Sequence, residues 1–123
     1  MKYRLLDLLC CPLCKHWPLK LEVFDKNVYK GRKLEGKKPL CRELCAFKGE
    51  KIEEGKEDYP CDECITVEVS YGILLCEKCG TWYPIVEEIP VMLVPEKRKH
   101  KPYLELYEKW KEKAPEKYKN LEF

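Results

Sequence analysis

Three observations predict an α+β fold for this sequence. Two Cys-x-x-Cys pairs, Cys11/Cys14 and Cys76/Cys79, are held far apart in the chain. Leu19, Leu21 and Val23 alternate with Lys20 and Glu22, and Ile65, Val67 and Val69 alternate with Thr66 and Glu68, the period of half-buried strands. Tyr103, Leu106, Tyr107 and Trp110 recur at i, i+3, i+4 and i+7, which sets them on one face of a helix. Together they describe a small antiparallel sheet clamped by cysteine turns and followed by a C-terminal helix.

Taken in order, residues 2–9 gather Leu5, Leu6, Leu8 and Leu9, which fits a short helix or turn packed on a core. The first cysteine pair and the Leu19–Val23 strand follow. From Asp25 to Cys64 the text becomes rich in Lys, Glu and Gly and poor in aliphatics, so it reads as an insertion with its own cysteines. Strand-like alternation resumes over 65–71; Gly72 is expected to interrupt it before Ile73-Leu74-Leu75 leads into Cys76. Two short strands, Trp82–Val86 and Ile89–Val94, are expected on either side of Glu87-Glu88. Pro102 suits a first helical position, and Pro115 should end or kink the helix. The predicted organisation is a core of 1–24 plus 65–95, an insertion at 25–64 and a helical tail at 96–123.

A chain of 123 residues with 37% charged side chains has little apolar material for a core, and small domains then need a staple. Nine cysteines are the obvious candidates. The N-terminus lacks the long apolar stretch of a signal peptide, and Leu8-Leu9-Cys10-Cys11 is too short to span a membrane. A cytoplasmic protein with no membrane partner is expected, and paired cysteines in that compartment read as metal ligands. Net charge is only +2, but two basic stretches, 26–42 and 95–119, flank an acidic one at 43–63. Each stretch alone is what a solvated Lys/Glu-rich surface looks like.

Zinc takes four soft or borderline ligands in a tetrahedron, and two Cys-x-x-Cys bends supply four thiolates. Cys11, Cys14, Cys76 and Cys79 are therefore the expected zinc ligands of a zinc-ribbon-like core. Gly80 after Cys79 fits, since the residue following such a bend often needs a conformation that glycine adopts cheaply. A closed four-thiolate site leaves no open position for water, so the metal is expected to be structural. Cys10 could replace Cys11 as a ligand in a Cys-x-x-x-Cys arrangement but reads rather as a small buried apolar residue. His16, also within reach as a ligand, reads as a surface or supporting group. Within the insertion, Cys41-x3-Cys45 and Cys61-x2-Cys64 permit a second zinc, with disulfides as the rival reading. The count is thus one or two Zn2+.

No Gly-x-Gly, no phosphate-binding Gly-x-x-x-x-Gly-Lys-Ser/Thr and no recognisable Ser/His/Asp set occurs. A binding or scaffolding protein, not an enzyme, is expected. The alternative is a stand-alone zinc ribbon binding RNA or DNA through its basic stretches, with Trp17, Trp82 and Tyr83 available to stack on bases. A redox protein is a third class. It would want one Cys-x-x-Cys at a helix start within a βαβ pattern, which the sequence does not offer.

Two segments carry a resemblance: Leu5-Leu6-Asp7-Leu8-Leu9-Cys10-Cys11-Pro12-Leu13-Cys14-Lys15, and Tyr71 through Leu93 with Tyr83-Pro84-Ile85 and Ile89-Pro90-Val91-Met92-Leu93. Here the chain resembles the small zinc-binding activator subunits of class I methyltransferases that modify tRNA, ribosomal RNA and translation release factor. The resemblance implies a non-catalytic heterodimer partner of an S-adenosylmethionine-dependent methyltransferase, extending its sheet edge to edge, with any contact to tRNA indirect. Two features depart from the pattern. Glu88 stands where the family usually has glycine, and glutamate disfavours the positive φ that glycine supplies. The four-cysteine insertion is not matched in the short prokaryotic members, although longer members carry insertions at the same place.

Independently of family, Ile89, Pro90, Val91, Met92, Leu93 and Val94 form a nearly unbroken apolar run. Proline cannot donate to a ladder, so Pro90 suits an edge strand, and an apolar edge invites another chain. This run is the expected partner-binding edge, extended by Leu5 and Leu6; the rival reading is that these side chains fill the chain's own core.

Overall fold

The computed structural model describes residues 1–34, 36, 38–119 and 121. It is an α+β fold with a four-stranded antiparallel sheet, a two-stranded hairpin and a C-terminal helix. A 3-10 helix at Tyr3–Asp7 leads through the first cysteine turn into β1 (Lys20–Val28). The insertion holds β2 (Leu44–Cys45), β3 (Glu50–Lys51) and the one-turn helix α1 (Cys61–Cys64). Then come β4 (Val67–Leu75), β5 (Trp82–Val86), β6 (Ile89–Pro90) and α2 (Lys101–Lys113). No helix among the described residues is long and apolar enough to cross a membrane.

The large sheet runs β1-β4-β5-β6, so β1 and β6 are its edges. Strand β1 extends to Val28, four residues into the segment read as insertion, because Asn27 and Val28 pair with Glu68 and Val67. Strand β4 does not stop at Gly72. It runs through it, since glycine is required here by crowding rather than by a turn: a Cβ at Gly72 would sit 2.6 Å from the Glu22 carbonyl oxygen of β1. Beside this close approach the β1–β4 register shifts, skipping Phe24 in one strand and Ser70 in the other. The irregularity turns Val69 and Ile73 into different cores, although residues four apart in a regular strand share a face.

Two cores therefore flank the sheet. One collects Leu6, Cys11, Leu19, Leu74, Tyr83 and Ile85 on the side of the cysteine turns. The other collects Ile73, Trp82, Val86, Tyr103, Tyr107 and Trp110 under α2. Alternate residues of β5 feed each core, and all five of its residues are buried, as its unbroken apolar text requires. The α2 stripe packs as its spacing predicts: the Trp110 ring stacks on Trp82 with centroids 5.0 Å apart, and its indole N–H donates to the Gly72 carbonyl at 2.7 Å. Pro102 lies in the first turn, the helix ends before Ala114, and Pro115 follows.

Arg98 was legible only as one of the basic residues of the tail, yet it is fully buried. Its Nε donates to the Leu93 carbonyl at 2.8 Å, another guanidinium N–H donates to the Trp82 carbonyl, and the rings of Trp82, Tyr83 and Tyr103 surround it. The delocalised guanidinium is weakly hydrated and stacks on aromatic faces, which reduces the cost of burying it.

The Glu87-Glu88 connection is a two-residue hairpin loop with φ of +49° and +71°. Such loops demand positive φ at both positions, which costs a non-glycine residue on the order of 1 kcal/mol or more each. Cross-links hold it. The Glu88 carboxylate accepts from Asn27 at 2.6 Å and from the Tyr29 hydroxyl, its N–H donates to Ser70, and Glu87 pairs with Lys109 at 3.1 Å. Side-chain anchorage thus holds a turn that glycine would otherwise suit.

Candidate metal centre and docking edge

The two cysteine turns have the same backbone. In the first, the Cys11 N–H donates to the His16 carbonyl at 2.9 Å and the Lys15 N–H to the Cys11 carbonyl at 2.7 Å. In the second, Cys76 donates to Thr81 at 2.9 Å and Gly80 to Cys76 at 2.9 Å. The equivalent residues Lys15 and Gly80 both have positive φ, +67° and +77°. Glycine meets this demand in the second turn at no steric cost, whereas lysine bears it in the first.

These turns bring Cys11, Cys14, Cys76 and Cys79 together so that all four sulfurs lie within 4.8 Å of one another. Cys11 and Cys79 Sγ are 3.7 Å apart, and Cys14 and Cys76 Sγ 3.4 Å. A tetrahedron with metal–sulfur bonds of about 2.3 Å has sulfur–sulfur edges of about 3.8 Å, so the spacing fits such an ion. Among the described residues no other set of cysteines, histidines and acids is gathered in this way.

The surroundings prepare two of the thiols to ionise. Burial pushes Cys11 up, but hydrogen bonds from the Tyr83 hydroxyl, 3.1 Å away, and from the Cys14 and Leu13 backbone outweigh it, and the net shift is downward. Hydrogen bonds from the Thr81 side chain and backbone hold Cys79 down to about 6. Cys14 goes the other way. Its backbone bond from His16 lowers it, but burial and the neighbouring thiols push it up to about 12. Four thiolates cannot share this space uncompensated, and a divalent cation is the direct remedy. The set could hold a metal ion. Neither turn opens a helix, which removes the arrangement a thioredoxin-like dithiol uses.

Cys10 is exposed and not the buried residue expected, because its neighbour Cys11 takes the inward position of the turn. His16 serves through its backbone. Trp82 and Tyr83 are buried, so neither offers a face to a base.

Cys41, Cys45, Cys61 and Cys64 share the wall of one cavity of about 290 Å3. Their sulfurs are spread around it, less tightly gathered than those of the first set. Burial, then the charges of the other three thiols, pushes Cys64 up to about 12. Asp7 ties this insertion to the core: its carboxylate accepts from the backbone N–H groups of Arg42, Glu43 and Leu44 at 2.9, 2.8 and 2.8 Å. Nothing in the one-dimensional pattern marked that role.

The apolar run is shorter as a strand than expected. Only Ile89 and Pro90 count as strand residues opposite β5; the Val91 N–H still donates to the Pro84 carbonyl at 2.8 Å, and the chain leaves the ladder after it. Ile89 is 62% exposed; Val91 joins the core under α2, and Met92, Leu93 and Val94 are half-buried. Leu6 is buried in the core of the cysteine-turn side, whereas Leu5 is half-buried and Leu8 is 72% exposed. Leu5, Leu8 and Glu88 line one open cleft, so the 3-10 helix and the β5–β6 turn share a surface.

No curated protein matches the sequence. The family model described as Trm112p-like protein matches residues 2–88, which takes in both cysteine turns, the insertion and the sheet up to the β5–β6 turn. The chain belongs to the Trm112p-like protein family, the small zinc-binding activators of methyltransferases.

Proposed function

We propose that this chain is the non-catalytic subunit of a heterodimer with a class I S-adenosylmethionine-dependent methyltransferase that modifies tRNA or translation factors in the cytoplasm. Family membership over residues 2–88 carries the reading. The chain supplies surface, and the partner supplies the methyl donor and the chemistry. Zinc held by Cys11, Cys14, Cys76 and Cys79 is structural, joining residues separated by most of the sheet. Structural zinc contributes about 10–16 kcal/mol in small domains, so its removal should loosen the core on the side of the cysteine turns first.

The docking edge is Ile89 to Val94 with Leu5 and Leu6 behind it, and two features support this. Strand β6 is an edge of only two residues, and the backbone beyond Val91 lies outside this chain's own ladder. Ile89 presents an exposed aliphatic side chain at that edge. A partner strand laid there would cover both.

The test is co-expression with the host's class I methyltransferases, followed by affinity purification and methyl-transfer assays with and without this chain. At least one enzyme should co-purify and gain activity, zinc chelation should abolish the gain, and Ile89→Glu should weaken binding at least tenfold. Zinc-loaded protein that neither binds nor activates any of them would sink the proposal.

A further inference from the structure

We propose that the insertion holds a second metal centre, a zinc ion ligated by the thiolates of Cys41, Cys45, Cys61 and Cys64. The four cysteines come from two tight local units, the Cys41-x3-Cys45 loop entering β2 and the two ends of the single-turn helix α1, and all four line the same cavity. Two short-range pairs facing one space is the pattern the first centre also uses.

Charge points the same way. The cavity is also lined by Lys2, Arg4, Arg32 and Lys33, and by no acidic residue among those described. Among the described residues, Arg32 alone of these cations has a carboxylate partner, Glu68 at 2.7 Å. A zinc ion bearing four thiolates carries a net charge of −2, and a ring of cations beside it is the expected counter-charge. A pair of disulfides would be neutral and would offer no counter-charge to these cations, of which Lys2, Arg4 and Lys33 are exposed and Arg32 is half-buried.

The insertion needs such a tie. Among the described residues its own core comprises three buried ones, Cys45, Tyr59 and Cys61, two of which are among the four proposed ligands. Its hairpin has two residues per strand. A core this small does not order a segment of this length without a staple. Cys41 lies in a loop, Cys45 ends the two-residue strand β2, and Cys61 and Cys64 bound a single helical turn, so all four sulfurs are carried by short elements.

The experiment is metal analysis of the full-length protein purified anaerobically, with zinc as the only metal supplied. Two zinc ions per chain are expected. Cys61→Ser with Cys64→Ser should halve the content, and Cys11→Ser with Cys14→Ser should leave the insertion's ion bound. Should a variant fail to fold, cobalt titration of the metal-stripped, reduced wild-type chain gives an independent reading. The thiolate charge-transfer absorption should saturate at two equivalents. One zinc per chain with saturation at one equivalent would overturn the proposal, as would intact-mass evidence that these four cysteines are disulfide-bonded in the purified protein.

Discussion

Replacing Asp7 with asparagine should release the insertion from the core. The wild-type carboxylate accepts three backbone hydrogen bonds, two on Oδ1 from Glu43 and Leu44 and one on Oδ2 from Arg42. Asparagine keeps one acceptor oxygen. Its amide nitrogen must then face the Arg42 N–H, so one bond to a charge is lost and two weaken to neutral ones. Bonds to charged groups are worth about 1.5–3 kcal/mol when well shielded, and the site is only half-buried, so the total is about 2–3 kcal/mol. Hydrogen exchange at the amides of Arg42, Glu43 and Leu44 reads this directly, because the loss is local. Exchange there should accelerate about 30- to 150-fold, while amides of β4 and β5 stay protected.

The pH dependence follows from the sign of the Asp7 shift. Burial alone would raise its pKa, but the backbone bonds and the charge of Arg42 outweigh it and hold it below its ordinary 3.8. A depressed folded pKa means that the stabilisation is complete above the unfolded value and fades as pH falls through the folded one. The difference between wild type and Asp7→Asn should therefore be flat from about pH 5 to 8. Both proteins share the metal centre, so its own acid sensitivity cancels in that comparison. Unchanged exchange at residues 42–44, or a difference that vanishes already near pH 7, would refute the argument.

Two further outcomes test the backbone readings. Gly72→Ala should lower stability by about 1–3 kcal/mol, since the added methyl meets the Glu22 carbonyl oxygen at 2.6 Å and a neighbouring strand cannot withdraw as a side-chain tip can. Urea unfolding of the zinc-loaded protein measures it, and an unchanged midpoint would mean that β1 and β4 are free to part. Lys15→Gly should raise stability by about 0.5–1 kcal/mol, and Gly80→Ala should lower it by a similar amount, because the two residues hold the same left-handed position. Thermal melts of both variants at matched zinc should shift in opposite directions; shifts of the same sign would remove the equivalence of the two turns.

Features carried by spacing were legible in the sequence. The cysteine turns, the limits of β5 and the apolar stripe of α2 are local patterns, and local geometry alone brings their side chains to one side. What was hidden depends on a second segment. Gly72 reads as a breaker until the Glu22 carbonyl is known to lie against it. Glu88 reads as a misfit in its turn until Asn27 and Tyr29 arrive to bind its carboxylate. Arg98 is indistinguishable from the lysines around it until three rings enclose it. Asp7 looks like any charge between leucines, because its partners are backbone groups some 35 residues away.

The two cores give the proposed docking edge its dependence on metal. Strand β5 is shared, feeding Tyr83 and Ile85 to the cysteine-turn side and Trp82 and Val86 to the helix side. Strand β6 hangs from β5 alone, through the Ile85–Pro90 and Val86–Ile89 pairs. Nothing local fixes so short a strand, so its orientation is inherited from β5. Tyr83 touches the metal centre through Cys11, and Trp82 touches the helix side through Trp110. Loss of the ion would therefore free one face of β5 while leaving the other packed, and the edge would lose its aim before the helix side lost its structure. An activator built this way fails by misdirecting its edge, so partner binding should respond to zinc removal at lower chelator concentrations than the aromatic signal of the core under α2.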